Sequence, residues 1–146
     1  MGANSTLYDR DFYAWSHEQA ALLRDGRVSE ADLGNIAEEI ESMGRREKRE
    51  LIDGMVALLL HLAKWRFPPS LRDRNWQLAI TALRLEVADI LADNPSLRST
   101  LTDVLVQAWR RARFGAERET GLDASSFPKD CPWTAEQALD DAFWPD

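Results

Sequence analysis

Apolar positions recur at helical spacing along almost the whole chain, and no stretch alternates in twos as a half-buried strand would. Asp9 or Asp11 can cap a first helix running to about Asp25, with Phe12, Trp15, Gln19, Leu22 and Leu23 along one side. Gly26 ends it. Ser29 with Asp32 resembles a capping box, Asp standing where Glu or Gln is usual. It introduces a helix with Leu33, Ile36, Ile40 and Met43 on its core side. That stripe would next reach Glu47, so the pattern predicts a bend or break at Gly44. A fresh stripe follows at Leu51, Met55, Leu58, Leu62 and Trp65, and Pro68-Pro69 stops it, because proline has no amide donor and restricts the residue before it.

A further helix is predicted from a start between Ser70 and Asn75, with Trp76, Ile80, Leu83, Val87 and Ile90 as its apolar face. Asn94-Pro95 reads as N-cap and first helical residue of the last long helix, which runs to about Glu119. Leu97, Leu101, Val104, Ala108, Ala112 and Gly115 share one side of that helix, and the small residues late in it allow close approach by a neighbour. Gly121 closes it. The tail, residues 122–146, is punctuated by proline, with a short helix started by a Thr134/Gln137 capping box and with Phe127, Trp133, Phe143 and Trp144 tacking it onto the body. Residues 1–8 read as a loose lead-in. The pattern predicts an all-α protein, a compact antiparallel bundle of four to five main helices in one domain spanning 1–146.

Composition fits that picture and narrows the setting. A chain of 146 residues, 45% hydrophobic and 29% charged, has the balance of a soluble globular protein. At this length folding buries roughly 70% of the surface the unfolded chain exposes. No apolar run nears the roughly 20 residues that cross a bilayer, and no basic-then-apolar leader opens the chain. One cysteine beside six tryptophans points to a reducing compartment, with the cytoplasm as the default. The net charge of −7 argues against bulk electrostatic binding to nucleic acid. Charge is segregated, however: residues 28–44 carry −5, residues 45–74 carry +4 and residues 119–146 carry −6.

Several residues could carry chemistry. Glu38 and Glu41, three apart, share a helix face, and with Glu39 they could offer oxygen ligands to a hard cation. The simpler reading pairs them with Arg45 and Arg46, since Glu41 and Arg45 stand four apart with the acid first. Neither His17 nor His61 has a Glu three positions before it, which excludes the paired Glu-x-x-His signature of di-iron bundles. His61 precedes Trp65 by four residues and could act as a proton-transfer group, but a packed boundary histidine is the favoured reading. Cys131 lies next to Asp130, which disfavours a thiolate. Arg66, Arg72 and Arg74 cluster with aromatics near the double proline, and Arg110, Arg111 and Arg113, followed by Arg118, line the end of the last long helix. These six, Arg118 apart, are the candidate anion-binding set. Compensation of helix dipoles is the competing explanation. The candidate functional cluster is Glu38, Glu39, Glu41, His61 and Trp65. No residue is assigned as catalytic, none as a metal ligand, and no cofactor is expected.

DFYAW at 11–15 with Glu18-Gln19, NIAEEIESMGRRE at 35–47, HLAKW at 61–65 and the terminal CPWTAEQALDDAFWPD together resemble the bacterial domain-of-unknown-function family twenty-nine. The motifs are separated, in order, and cover nearly the whole chain. The resemblance implies a compact helical protein of a kind found in cyanobacteria and proteobacteria, and it brings no established substrate, cofactor or catalytic residue. The functional expectation is therefore a non-enzymatic protein-interaction or self-associating module. A metal-dependent hydrolase or nuclease and a nucleic-acid accessory protein are the alternatives.

Overall fold

The computed structural model describes residues 3–67 and 72–146. Pro68, Pro69 and a helix start at Ser70 lie outside them. Six α-helices appear in the order α1 (Ala3–Arg10), α2 (Phe12–Arg24), α3 (Leu33–Arg66), α4 (Arg74–Asp93), α5 (Leu101–Thr120) and α6 (Ala135–Leu139), with no strand among the described residues. The all-α expectation holds. Internal contacts divide the chain into two compact units, Met1–Arg46 and Glu47–Asp146.

In the Met1–Arg46 unit, α1 stands where residues 3–8 of the lead-in were expected to be loose; Met1 and Gly2 lie outside the described residues. Its Tyr8 ring stands edge-on to Trp15 at 4.7 Å and to Phe12 at 5.7 Å, so tertiary packing orders a segment whose own sequence carries little helical pattern. Asp11 caps α2 by accepting from the Ala14 amide. At the other end, Gly26 takes φ +73, and the Gly26 and Arg27 amides donate to the Leu23 and Leu22 carbonyls. That closes the helix in a Schellman motif, which an L side chain at Gly26 would strain. The predicted Ser29/Asp32 capping box does not form. Ser29 falls in a short 3₁₀ turn, Val28–Glu30, and α3 begins only at Leu33. Asp32 is held from outside: its carboxylate accepts from the Trp15 indole at 3.1 Å and the Asn35 amide at 2.8 Å, while the Gln19 side chain takes its backbone N–H at 2.7 Å.

Helix α3 passes through Gly44 without a break. Its first stripe forms but does not reach a core: Leu33, Ile40 and Met43 stay 50%, 63% and 61% exposed. Trp15 and Gln19 are the buried residues of this unit among those described, a core too small to cover a full helix face.

The Glu47–Asp146 unit is built on the second stripe of α3. Leu51, Met55, Leu58 and Leu62 are fully buried, with Leu59 and Ala63 beside them. They meet Ile80, Val87 and Leu91 of α4 and Val104, Ala108, Trp109 and Ala112 of α5 in one cluster. Each large apolar side chain so buried contributes about 1.5–3 kcal/mol before entropy is counted. Asp73 caps α4 by accepting from the Trp76 amide at 2.8 Å. Asn94 finishes α4 instead of starting α5: its side-chain amide donates to the Ile90 carbonyl and to Glu47, and Pro95–Thr100 winds as a 3₁₀ segment before α5 begins. The small residues of α5 serve as expected. A Cβ on Gly115 would stand 2.5 Å from Leu60 Cδ1 of α3, so the two helices approach across a glycine. Gly121, φ +73, ends α5 in the left-handed region. The tail packs through buried Phe127, Trp133 and Ala138, and both halves of the Thr134/Gln137 capping box are present.

Candidate functional site

The acidic cluster of α3 is spent on pairing. Glu38 and Glu41 both reach Arg45, at 3.0 and 3.7 Å, all three side chains being more than half exposed. Such surface pairs are worth about 0–1 kcal/mol. Glu39 accepts the Tyr8 hydroxyl. That hydrogen bond to an anion, helped by partial desolvation and by the Glu39, Glu38 and Asp9 charges, pushes the Tyr8 phenol up to about 12. Among the described residues, no group of three or more His, Cys, Asp or Glu is placed to hold a metal ion.

His61 and Trp65 belong to the other unit. His61 Nδ1 lies 2.8 Å from the Ala57 carbonyl, one turn back on the same helix, so that nitrogen is occupied by local bonding. The Trp65 ring packs on Trp144 at 4.9 Å, and the Arg72 guanidinium sits 5.1 Å over it.

The basic residues separate into two kinds. Arg72 donates to the carbonyls of Trp65 at 2.6 Å and Pro145 at 3.1 Å, tying the end of α3 to the tail. Arg113 donates to Ala124 and Phe127 carbonyls, and Arg111 pairs with Asp53 at 3.2 Å on the surface. Arg66 lies over Phe67, and Arg74 opens α4 at the surface. The expected anion set is thus partly structural. The residue that sequence patterning missed is Arg84, only 2% exposed in the interior of α4. Its Nε and Nη2 donate to the Ala138 and Phe143 carbonyls, and Nη1 has no hydrogen-bond partner among the described residues. Burial pushes its pKa down, against the opposing pull of Asp141 and Asp140. The available signal was its spacing: Ile80, Arg84, Val87 and Leu91 step by four, three and four, a buried period with one charge in it.

A surface groove lies between α3 and α5. It is open, of about 650 Å³, and has Val56, Leu60 and Gly115 as its floor. Its rim carries Gln107, Arg110, Arg111 and Arg118, together with Phe114, which is 65% exposed. Among the described residues, the guanidinium groups of Arg110 and Arg118 meet no carbonyl or carboxylate, unlike those of Arg72 and Arg113. Apolar floor and cationic rim arise from α5's own periodicity, since Arg111, Gly115 and Arg118 step by four and three along one face. The lining contains no carboxylate, thiol or imidazole. Its chemistry is attraction: desolvation of an apolar side chain together with pairing to an anion.

A second hollow of about 480 Å³ on the other side of α5 is lined in part by Trp109, Lys129 and Cys131. Cys131 is half-buried, and burial, not the neighbouring Asp130, pushes its thiol up, with a hydrogen bond from the Trp133 backbone pulling the other way. It is a thiol packed against the apolar core, not a poised nucleophile.

No helix among the described residues is long and apolar enough to cross a membrane. Comparison with the curated proteins and with the solved structures finds no match. A family model does match, over residues 7–144: the chain belongs to the family described as "Domain of unknown function DUF29".

Proposed function

We propose that this protein is a non-enzymatic interaction module that binds a protein partner in the groove between α3 and α5. The observation that carries the reading is the composition of that groove, in which Arg110, Arg111 and Arg118 surround the exposed Phe114 above an apolar floor. A complementary partner presents acidic and apolar side chains together, as an amphipathic acidic helix does. Aromatic and arginine side chains are the residue types that dominate binding energy at protein interfaces. Glu38, Glu39 and Glu41 find local partners in Arg45 and Tyr8, which supports a structural use for them over a metal-dependent hydrolase site. The single cysteine fits work in a reducing, cytoplasmic setting.

Fluorescence anisotropy with a labelled amphipathic Glu/Leu helical peptide tests the reading. Binding is expected in the micromolar range (Kd about 1–100 μM) and to weaken as salt is added. A double substitution, Arg110→Glu with Phe114→Glu, should abolish it. Absence of binding at low salt, or binding indifferent to that substitution, would overturn the proposal.

A further inference from the structure

Resting on that docking role, we infer that the groove's occupant is a second copy of this chain, entering with the acidic apolar ridge at the start of α3. The ridge and the groove are complementary in both of their components. Leu33, Ile40 and Met43 stand on one helix face, seven and three residues apart, and are 50%, 63% and 61% exposed. Residues 28–44 around them carry a net charge of −5. Three large apolar side chains left in water on one face of a helix mark a contact surface. The groove offers them Val56, Leu60 and Phe114 to pack against, within a rim of arginines.

Charge decides the choice of partner. A chain of net charge −7 with its charges evenly mixed would repel its own copies. Here the acid is gathered around the ridge, and the guanidinium groups of Arg110 and Arg118 stand at the groove beside Arg111, whose exposed pair with Asp53 is weak, so two copies attract where the two surfaces meet. The pairing of Glu38 and Glu41 with Arg45 does not cancel this, because those ion pairs are exposed and easily exchanged. Each copy carries one ridge and one groove. The contact joins two different surfaces, so copies associate either as a reciprocal two-fold pair or, heterologously, head to tail.

Sedimentation velocity on the full chain tests this. Wild-type protein should show weight-average mass rising between about 1 and 100 μM, with association about tenfold weaker or more at high salt. A ridge variant, Ile40→Lys with Met43→Lys, and a groove variant, Arg110→Glu with Phe114→Glu, should each remain monomeric. All four positions are exposed, so urea midpoints matching wild type would confirm intact folds. Mixing the two variants leaves one intact ridge and one intact groove, and should give a one-to-one dimer and nothing larger. Monomeric wild type over the whole range, or oligomers that survive either variant, overturns the inference. If wild type is monomeric yet still binds the Glu/Leu peptide through Arg110, self-pairing falls and the docking role stands. If it takes a single-stranded oligonucleotide through the same arginines and no peptide, both fall.

Discussion

Arg84 Nη2 donates to the carbonyl of Phe143 at 2.7 Å, joining residues 59 apart in sequence. The same guanidinium gives Nε to the Ala138 carbonyl at 2.8 Å and lies 5.1 Å from the Trp144 ring. One buried fork thereby fixes α6, the turn after it and the terminal aromatics onto α4.

Arg84→Met keeps the apolar stem but strips two carbonyls of their donor, at about 1–3 kcal/mol each. Release of a desolvated guanidinium offsets part of that loss, for a net destabilisation of about 2 kcal/mol. Arg84→Lys should recover little, since a point charge cannot serve both carbonyls. Urea unfolding gives the stability change, and Trp fluorescence should report the tail loosening in both variants before the body unfolds. A variant as stable as wild type with unchanged fluorescence would show that the fork is dispensable.

Short-range signals in this chain were legible and long-range ones were not. The Asp11 cap, the Gly26 and Gly121 terminations and the Thr134/Gln137 box depend on residues within a few positions of each other, and all appear in the structure. The stripe Leu51, Met55, Leu58 and Leu62 was also readable, since burial follows directly from its period. Asp32 was misread because its partners, Trp15 and Gln19, lie 17 and 13 residues away. Arg84 escaped because patterning treats a charge as a surface residue unless its carbonyl partners are known. The stripe of Leu33, Ile40 and Met43 shows the converse, as periodicity reveals a face but not whether anything covers it. In the candidate site, the arginines of α5 were visible, but not which of them donate to the tail and which stay free.

The Tyr8–Glu39 hydrogen bond makes the Met1–Arg46 unit sensitive to alkaline pH. The phenol is raised from its ordinary value of 10.0 to about 12, so the fold favours the neutral form. The sign follows: this contribution is complete below pH 10.0, declines as pH rises and is gone above about 12. Tyr13→Phe leaves Tyr8 as the one tyrosine in the chain. Its absorbance titration should then show a midpoint near 12, which Glu39→Gln moves toward 10.0. A midpoint unchanged by Glu39→Gln would remove that carboxylate as the cause.

The Gly115–Leu60 approach predicts a size limit on α5. Gly115→Ala gains about 1 kcal/mol of helix propensity. Its methyl must displace Leu60 Cδ1, only 2.5 Å away, but Leu60 borders the open groove and can turn into it. The two effects should leave stability within about 1 kcal/mol of wild type. Gly115→Val, with two more carbons in the same place, should cost about 2–3 kcal/mol. Leu60→Ala should recover much of that loss in a double-mutant cycle, and a coupling energy near zero would show that the two side chains do not compete for one space.

Gly44 supplies the last test, because the sequence pattern marks it as a break while α3 runs through it from Leu33 to Arg66. The shift of apolar stripe around Glu47 does not require a kink, since the helix can expose its first stripe and bury its second. Nothing lies within 4 Å of a Cβ built on Gly44, and its φ is not positive. An added methyl therefore meets no obstacle, and the substitution acts through the backbone alone: alanine restricts the unfolded chain and favours the helical conformation already present. Gly44→Ala should stabilise by about 0.5–1 kcal/mol, seen as a higher urea midpoint with unchanged slope and unaltered helical circular dichroism. Were α3 broken at this position in solution, the same substitution would destabilise the protein, and a fall in the midpoint would reveal it.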